Sequence, residues 1–577
     1  LILRVDRLKI SLSTIFYNKN LRRMIVMSKY ANVVFGDTKQ SEAQFNKDQV
    51  KNNAGGYVYQ LDEWKVLDRF LIIGCENNTY YSTKESLTLK NAQNVLDLIK
   101  KDGHRVVDKV VEISDAGRAA KNNTAIFVLA MVASFGNESS KSYALSKLDK
   151  VARTATHLFQ FVEDANKMRG WGRGLRRAVG KWYTEKDASS LIYQLIKYKN
   201  REGWTHKDVL AMAHPKPQTR EHEYIFKTLF KGFDEAAVLE PYVCMRDMNR
   251  YIIGSNFASI VKDDVDVAID MIKKYNFPRE VVPTTMLNNV KVWDTLLNMG
   301  MPMTAMIRNL GKMSAIGLLA PLSAATKKVC DMLQNEEVIR KARIHPVNVL
   351  AAKVVYENGC GYRGSNSWNV VPAIVSALED AFYLSFKNVE STGKRHFIGL
   401  DVSGSMTGRG VTGYEFLTPA MVNAAMVMSL MRSESQYHVM GFGSPGFNSR
   451  FNCPGEGIFD VGINAKMALS SVLKNISNIN GGGTDCALPM VYALKHKIPV
   501  DVFSVWTDNE TWAGNIHPDQ ALRKYRDEMG INAKLIVCAS TATDFTIADP
   551  KDPGMLDVCG FDSGVPQVIR EFSLGNL

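Results

Sequence analysis

Across residues 57–388 the apolar positions recur at helical spacing. Ala92, Val95, Leu96 and Ile99 form one stripe, and Leu191, Ile192, Leu195 and Ile196 another. Residues three and four apart share a helix face, so the spacing predicts amphipathic helices through most of this stretch. Gly55, Gly56, Gly170, Gly172, Pro215, Pro217, Pro302 and Pro346 punctuate it. The pieces are about 10 to 20 residues long, the texture of stacked helical hairpins. No fixed repeat period is visible, so a solenoid or ring of degenerate repeats rests on helix density alone.

After Thr392-Gly393-Lys394 the pattern changes. Short apolar runs at 397–402, 437–442, 500–507 and 534–538 alternate with helical segments such as 421–431. Strand and helix in alternation predict a doubly wound parallel sheet, whose ligands bind at the carboxyl ends of its strands. The expected organisation is an extension over 1–55, poorly ordered, then a helical-repeat domain over 56–390 and an α/β domain over 391–577.

Composition narrows the reading. With 577 residues, 46% hydrophobic and 23% charged, the chain has globular usage, which excludes disordered and collagen-like classes. Its formal net charge is +12, but from Ser391 onward 15 Lys and Arg face 18 Asp and Glu. The basic excess therefore belongs to the first two-thirds, where an anionic partner is expected.

The eight cysteines are scattered, with no C-x-x-C and no His pair at zinc-ligand spacing. That is reduced, cytosolic usage, and no structural zinc is expected. A cytoplasmic protein is the expectation, with the nucleus a second compartment open to it. No apolar run is long enough to span a bilayer. Residues 1–26 carry six basic residues against Asp6. They read as translated leader upstream of Met24 or Met27, or alternatively as a transit peptide. Both readings leave them outside the fold.

The run 397–400 leads into Asp401-Val402-Ser403-Gly404-Ser405, placing a carboxylate and two hydroxyls at a predicted strand end. Gly481-Gly482-Gly483-Thr484-Asp485 adds a hydroxyl, and the run at 500–507 ends in Asp508. A hard cation such as Mg²⁺ takes about six oxygen ligands and keeps some water, which suits hydroxyls with remote carboxylates. This D-x-S-x-S, then Thr, then Asp resembles the metal-ion-dependent adhesion site of von Willebrand factor type A domains. The resemblance implies direct ligation by Ser403, Ser405 and Thr484, with Asp401 and Asp508 acting mainly through water. The expected cofactor is a divalent cation, Mg²⁺ being the best match.

Gly441-Phe442-Gly443-Ser444-Pro445-Gly446 fits G-x-G-x-x-G, but no amphipathic helix opens after it, so a turn is the better reading. No P-loop, H-E-x-x-H or G-x-S-x-G occurs, and no nucleophile assembles with a base and an orienting group. No catalytic residue is assigned and binding, not an enzyme activity, is the expected use.

Residues 167–183 read K-M-R-G-W-G-R-G-L-R-R-A-V-G-K-W-Y. Arg169, Arg173, Arg176, Arg177 and Lys181 are expected to converge on one side of a helix, with Trp171, Trp182 and Tyr183 interleaved. Arg forks grip phosphate and aromatic rings stack on unpaired bases, the chemistry single-stranded RNA needs. In 197–217, Lys197 and Arg201 sit at i, i+4, expected on one helical face. Gly203 is expected to end that helix and Thr205 to cap the next, which carries His214 at its far end. Weaker candidates are Arg308 with Lys312 and Arg343 with His345, each more typical of an ordinary surface face.

Together these stretches resemble the Ro (SS-A) autoantigen ribonucleoprotein family, which joins a TROVE domain to a von Willebrand type A domain. The similarity runs through G-Y-V-Y-Q from Gly56, R-G-W-G-R-G-L-R-R, K-Y-K-N-R-E-G-W-T-H-K-D, M-P-M-T-A-M-I-R-N-L-G-K-M, G-L-D-V-S-G-S-M, G-G-G-T-D-C-A-L-P-M and T-D-N-E-T-W-A-G-N-I-H-P. It implies a mainly α, HEAT-like helical-repeat ring followed by an α/β doubly wound type A domain. It further implies binding of small noncoding Y RNAs on the outer surface, through Lys197, Arg201 and His214. The single-stranded ends of misfolded noncoding RNAs would enter a central hole, in RNA quality control. Expected partners are Y RNA and other noncoding RNA, with a protein ligand an option at the metal site; no membrane or DNA partner is expected. The rival reading is a metal-dependent protein-adhesion scaffold whose basic half is only a solvated surface.

Overall fold

The apolar stripe at 191–196 becomes the buried face of helix Ala188–Lys197, started by Asp187, whose carboxylate accepts from the Ser190 amide. The same logic recurs down the first half. Pro302 and Pro346 stand at the starts of helices Met303–Ala315 and Pro346–Glu357, where a missing N–H costs nothing. The long helix Lys84–Ala116 is broken by a kink at Asp102 and buries Val95 and Ile99. The computed structural model describes residues 36–45, 47–75, 78, 81–232, 245–362, 365–386, 390–411, 413–444, 456–479 and 482–577.

Helices near in sequence pack together, Asn123–Phe135 on Ala155–Met168 and Pro346–Glu357 on Pro372–Leu384. The array also returns to its beginning. His345 Nε2 lies 3.2 Å from the carbonyl oxygen of Arg118, just past the end of helix Lys84–Ala116, and Arg343 lies 4.0 Å from Asp115. Arg343 and His345, candidates for ligand contact in the sequence, thus serve the closure of the array.

Short strands occur early: β1 (Gln49–Lys51), β2 (Tyr57–Gln60), β3 (Asn200–Arg201) and β4 (Trp204–Thr205). The second half supplies β5 (Arg395–Asp401), β6 (Gln436–Phe442), β7 (Ile458–Phe459), β8 (Val502–Thr507), β9 (Lys534–Ala539), β10 (Phe545–Thr546) and β11 (Met555–Cys559). The main sheet has the order β11-β9-β8-β5-β6-β7, parallel except for β7.

Side chains alternate between its faces. Phe397, Phe503, Val505, Leu535 and Val537 share a core with helices Leu488–Lys495 and Pro518–Met529. Ile398, Leu400, Trp506, Ile536 and Cys538 join the core that runs on through the helical half. Polar clamps supplement this shared core. Arg69 is 1% exposed and pairs with Asp557 of β11 while donating to the carbonyls of Thr543 and Phe545. Removing Arg69 alone would strand a buried carboxylate at a cost of about 3–5 kcal/mol.

The expectation of a poorly ordered 1–55 does not hold for its last third. β1 pairs with β2, and β2 with β10 of the type A half, so 49–60 complete a three-stranded sheet. Gly56 approaches so closely that an added Cβ would lie 1.8 Å from the Thr511 carbonyl oxygen. The contacts that fix this segment are hundreds of residues away, which is why local composition did not reveal them. Residues 1–35 lie outside the described residues.

Candidate functional site

Four of the five candidate metal donors, Asp401, Ser403, Ser405 and Asp508, lie at the carboxyl ends of the adjacent strands β5 and β8, and Thr484 lies on the loop before helix Leu488–Lys495. Asp401 closes β5 and is fully buried; its Oδ1 accepts from the Ser403 amide at 3.0 Å and its Oδ2 from the Thr507 hydroxyl at 2.6 Å. The Ser403 and Ser405 hydroxyls are 3.2 Å apart, and Ser405 hydrogen-bonds Asp508. Gly404 donates to the Gly482 carbonyl at 3.0 Å, tying this loop to the one carrying Thr484. The Thr484 carbonyl accepts from Trp512 and Ala513, while its buried hydroxyl has no hydrogen-bond partner among the described residues.

Burial, and then the charge of Asp508, push the Asp401 carboxyl up to about 7 and the Glu510 carboxyl up to about 8. Carboxylates crowded in a dry site want a counter-charge. Two carboxylates, two adjoining hydroxyls and one orphaned hydroxyl are hard oxygen donors, so the residues present fit a divalent cation of the Mg²⁺ type. Among the described residues no cluster of His, Cys, Asp and Glu offers an alternative metal site.

The basic stretch at 167–183 is only partly as expected. Helix Arg173–Thr184 starts at Gly172, which provides no side-chain cap. Arg169, Arg173, Arg177 and Lys181 line one cavity of about 540 Å³ together with Lys141 from helix Glu138–Ser146. Arg173, Arg177 and Lys181 share a face because they are four residues apart. Arg176, one residue off that register, does not line the cavity. The aromatic residues differ from expectation. Trp182 and Tyr183 are core residues, with the indole donating to the Ala152 carbonyl and the phenol bonded to His206. Helical periodicity turns them inward, away from any base.

Lys197 and Arg201 do not share a helical face. The helix stops at Lys197, and Arg201 lies on the hairpin β3–β4, turned by Glu202 and Gly203 at φ values of 52° and 80°. Two successive positive φ angles make a tight hairpin turn, so Gly203 serves the hairpin where a helix end was expected. Lys197 donates to the Tyr193 hydroxyl at 2.8 Å; Arg201 is exposed and pairs with Glu202 at 3.1 Å. Thr205 caps helix His206–Ala213 in a capping box with Asp208, and His214 ends it in the left-handed conformation. No hydrogen bond or ion pair joins Lys197, Arg201 and His214 among the described residues.

What the structure does join is the two basic stretches. The ring centroids of Trp171 and Trp204 are 5.9 Å apart, which sets the Arg169–Arg173 turn beside the hairpin of Arg201. Helix Arg173–Thr184 also packs on helix His206–Ala213. Lys141 was missed because its contribution depends on a neighbouring helix.

Comparison with known proteins decides the family. A TROVE domain model matches residues 50–247 and 274–394, and a Ro60 vWA domain model matches 395–573. The chain belongs to the Ro60 family. Within it, the chain is similar to the RNA-binding protein RO60 of Caenorhabditis elegans, at 34% identity over 96% of each chain. It is 36% identical to the protein of the same name from Deinococcus radiodurans, over 92% of this chain and 96% of that one. The crystal structure of the Deinococcus radiodurans RO (RSR) protein superposes with a TM-score of 0.67 at 35% identity, covering 89% of this chain and all of that one. The TROVE match begins at residue 50, in β1, which pairs with β2, the strand that in turn pairs with β10 of the type A half.

Proposed function

We propose that this chain binds RNA through its helical half, taking small noncoding Y RNAs and misfolded noncoding RNAs as a ribonucleoprotein of RNA quality control. The observation that carries the reading is the joined basic surface. Arg169, Arg173, Arg177 and Lys181 line one groove, and the Trp171–Trp204 contact connects it to Arg201. Arginine forks and lysines on that surface hold phosphates, and Lys197 and His214 are assigned to it by the family resemblance. Two relatives bear the name RNA-binding protein, which agrees with this chemistry.

In the same reading, Asp401, Ser403, Ser405, Thr484 and Asp508 hold a divalent cation, Mg²⁺. Bound there, the ion supplies positive charge to the two buried carboxylates. The residues' own part is to fix the loops after β5 and β8. The adhesion reading has less support, because all five donor side chains belong to residues at most 6% exposed, leaving little for a broad protein surface to meet.

The test is the salt dependence of RNA affinity. Each neutralised phosphate contributes about −0.7 to −0.9 to the slope of log K against log salt, so six contacts give roughly −4 to −5. A nearly flat dependence would leave the basic excess as mere solvation.

A further inference from the structure

The helix Met303–Ala315 carries Arg308, Gly311 and Lys312 on one side, a pattern the RNA surface above does not use. The bare Gly311 has a structural reason: a Cβ there would lie 2.6 Å from the Trp368 ring, so the indole lies directly against the helix at Gly311. Trp368 is held by its indole N–H donating to the Tyr356 carbonyl at 3.0 Å. These residues border a cavity of about 530 Å³, reached also by Arg279 from the helical half and by Tyr414 from the type A half.

The lining is chemically one-sided. Among the described residues it holds Arg279, Arg308 and Lys312 and no carboxylate. Arg279 Nε is buried with no hydrogen-bond partner among the described residues. Lys312 donates to Asn288 at 2.6 Å, and Tyr414 accepts from Arg308 while donating to Asn348 at 2.6 Å. Cations thus stand beside an aromatic ring and side-chain amides, in a space within the roughly 300–1,000 Å³ of pockets that bury small organic ligands. Phosphate suits the cations, a planar base suits the indole, and amides suit base edges.

We propose that this cavity binds one nucleoside phosphate, with its phosphate on Arg279, Arg308 and Lys312 and its base against Trp368. The nucleotide comes either free from solution or as one residue of a single-stranded RNA; only the second source rests on the RNA-binding reading.

The experiment uses the full chain and two probes: uridine 5′-monophosphate, with uridine as the phosphate-free control, and a single-stranded decauridylate containing 4-thiouridine. If the ligand is a free nucleotide, the monophosphate binds saturably, and uridine binds about tenfold more weakly or worse. The Arg279→Gln/Lys312→Gln variant then loses about tenfold or more in monophosphate affinity. If the source is RNA, the monophosphate alone does not saturate but the decamer photo-crosslinks to peptides carrying Trp368 or Tyr414. Cross-linking is read on the unmodified protein, so a variant that misfolds does not spoil the test. The proposal is overturned if neither probe responds to the double substitution and cross-links map elsewhere. Retained binding of structured RNA in that case would leave the RNA surface around Arg201 standing.

Discussion

The side-chain amide of Gln40 donates to Asp485 Oδ1 at 2.7 Å, across 445 residues of sequence. Gln40 is fully buried; it also donates to the Ile516 carbonyl and accepts from the Thr511 hydroxyl. Asp485 follows Thr484, and the 511–513 turn holds the Thr484 carbonyl. Gln40 therefore braces two loops of the metal constellation from the far end of the chain. Gln40→Leu leaves several buried polar groups unpaired and should cost about 2–4 kcal/mol. Urea unfolding checks the figure, and a loss below about 0.5 kcal/mol would mean the amino-terminal segment is only loosely attached.

The metal assignment predicts a separation of effects. Asp401→Ala or Ser403→Ala should abolish Mg²⁺ binding, measured by calorimetry, and leave RNA affinity nearly intact. The donors sit at the ends of β5 and β8, whereas the basic groove sits on helices Glu138–Ser146 and Arg173–Thr184. Sites that share no partners act independently. A loss of RNA affinity of about tenfold in a folded variant, about 1.4 kcal/mol, would make the ion part of the RNA surface.

Acid should loosen the basic surface through His206. Burial drives its pKa down to about 4, and its ring bonds the Tyr183 hydroxyl and the Tyr198 carbonyl while packing edge-on against Phe159. The unfolded chain takes up a proton near pH 6.5 and the folded one only near 4, so between these values the unfolded state binds more protons. Stability from His206 is complete above about pH 6.5 and is lost as pH falls to about 4, by about 3 kcal/mol. His345, also buried and shifted down, adds in the same direction. The difference in melting temperature between wild type and His206→Gln across this window measures the effect; a constant difference contradicts it.

The placement of the proposed metal donors was legible because they follow short apolar runs, and such runs announce strand ends. Asp401, Ser403, Ser405 and Asp508 stand where that pattern put them. Gln40 was not legible, since nothing local marks a glutamine whose partners lie beyond residue 480. The hairpin at Arg201 was misread because Lys197 and Arg201 have helical spacing, whereas Glu202 and Gly203 take positive φ and turn the chain. Likewise β11 carries Asp557 among its apolar residues, a carboxylate explained by its distant partners Arg69 and Thr546. Trp182 and Tyr183 looked like stacking residues beside arginines, but the helix they share with those arginines turns them into the core.

The central claim is that the surface around Arg201 and the groove of Arg169–Lys181 binds structured RNA by its phosphates. The most direct measurement is competition binding of a structured RNA and an RNA with an unpaired tail on Lys197→Ala/Arg201→Ala protein. The structured RNA should lose well over about tenfold in affinity, since each charge-assisted contact contributes about 1.5–3 kcal/mol, while the unpaired tail loses less because it meets other basic residues. Equal losses for both RNAs, or none for the structured one, would contradict the account.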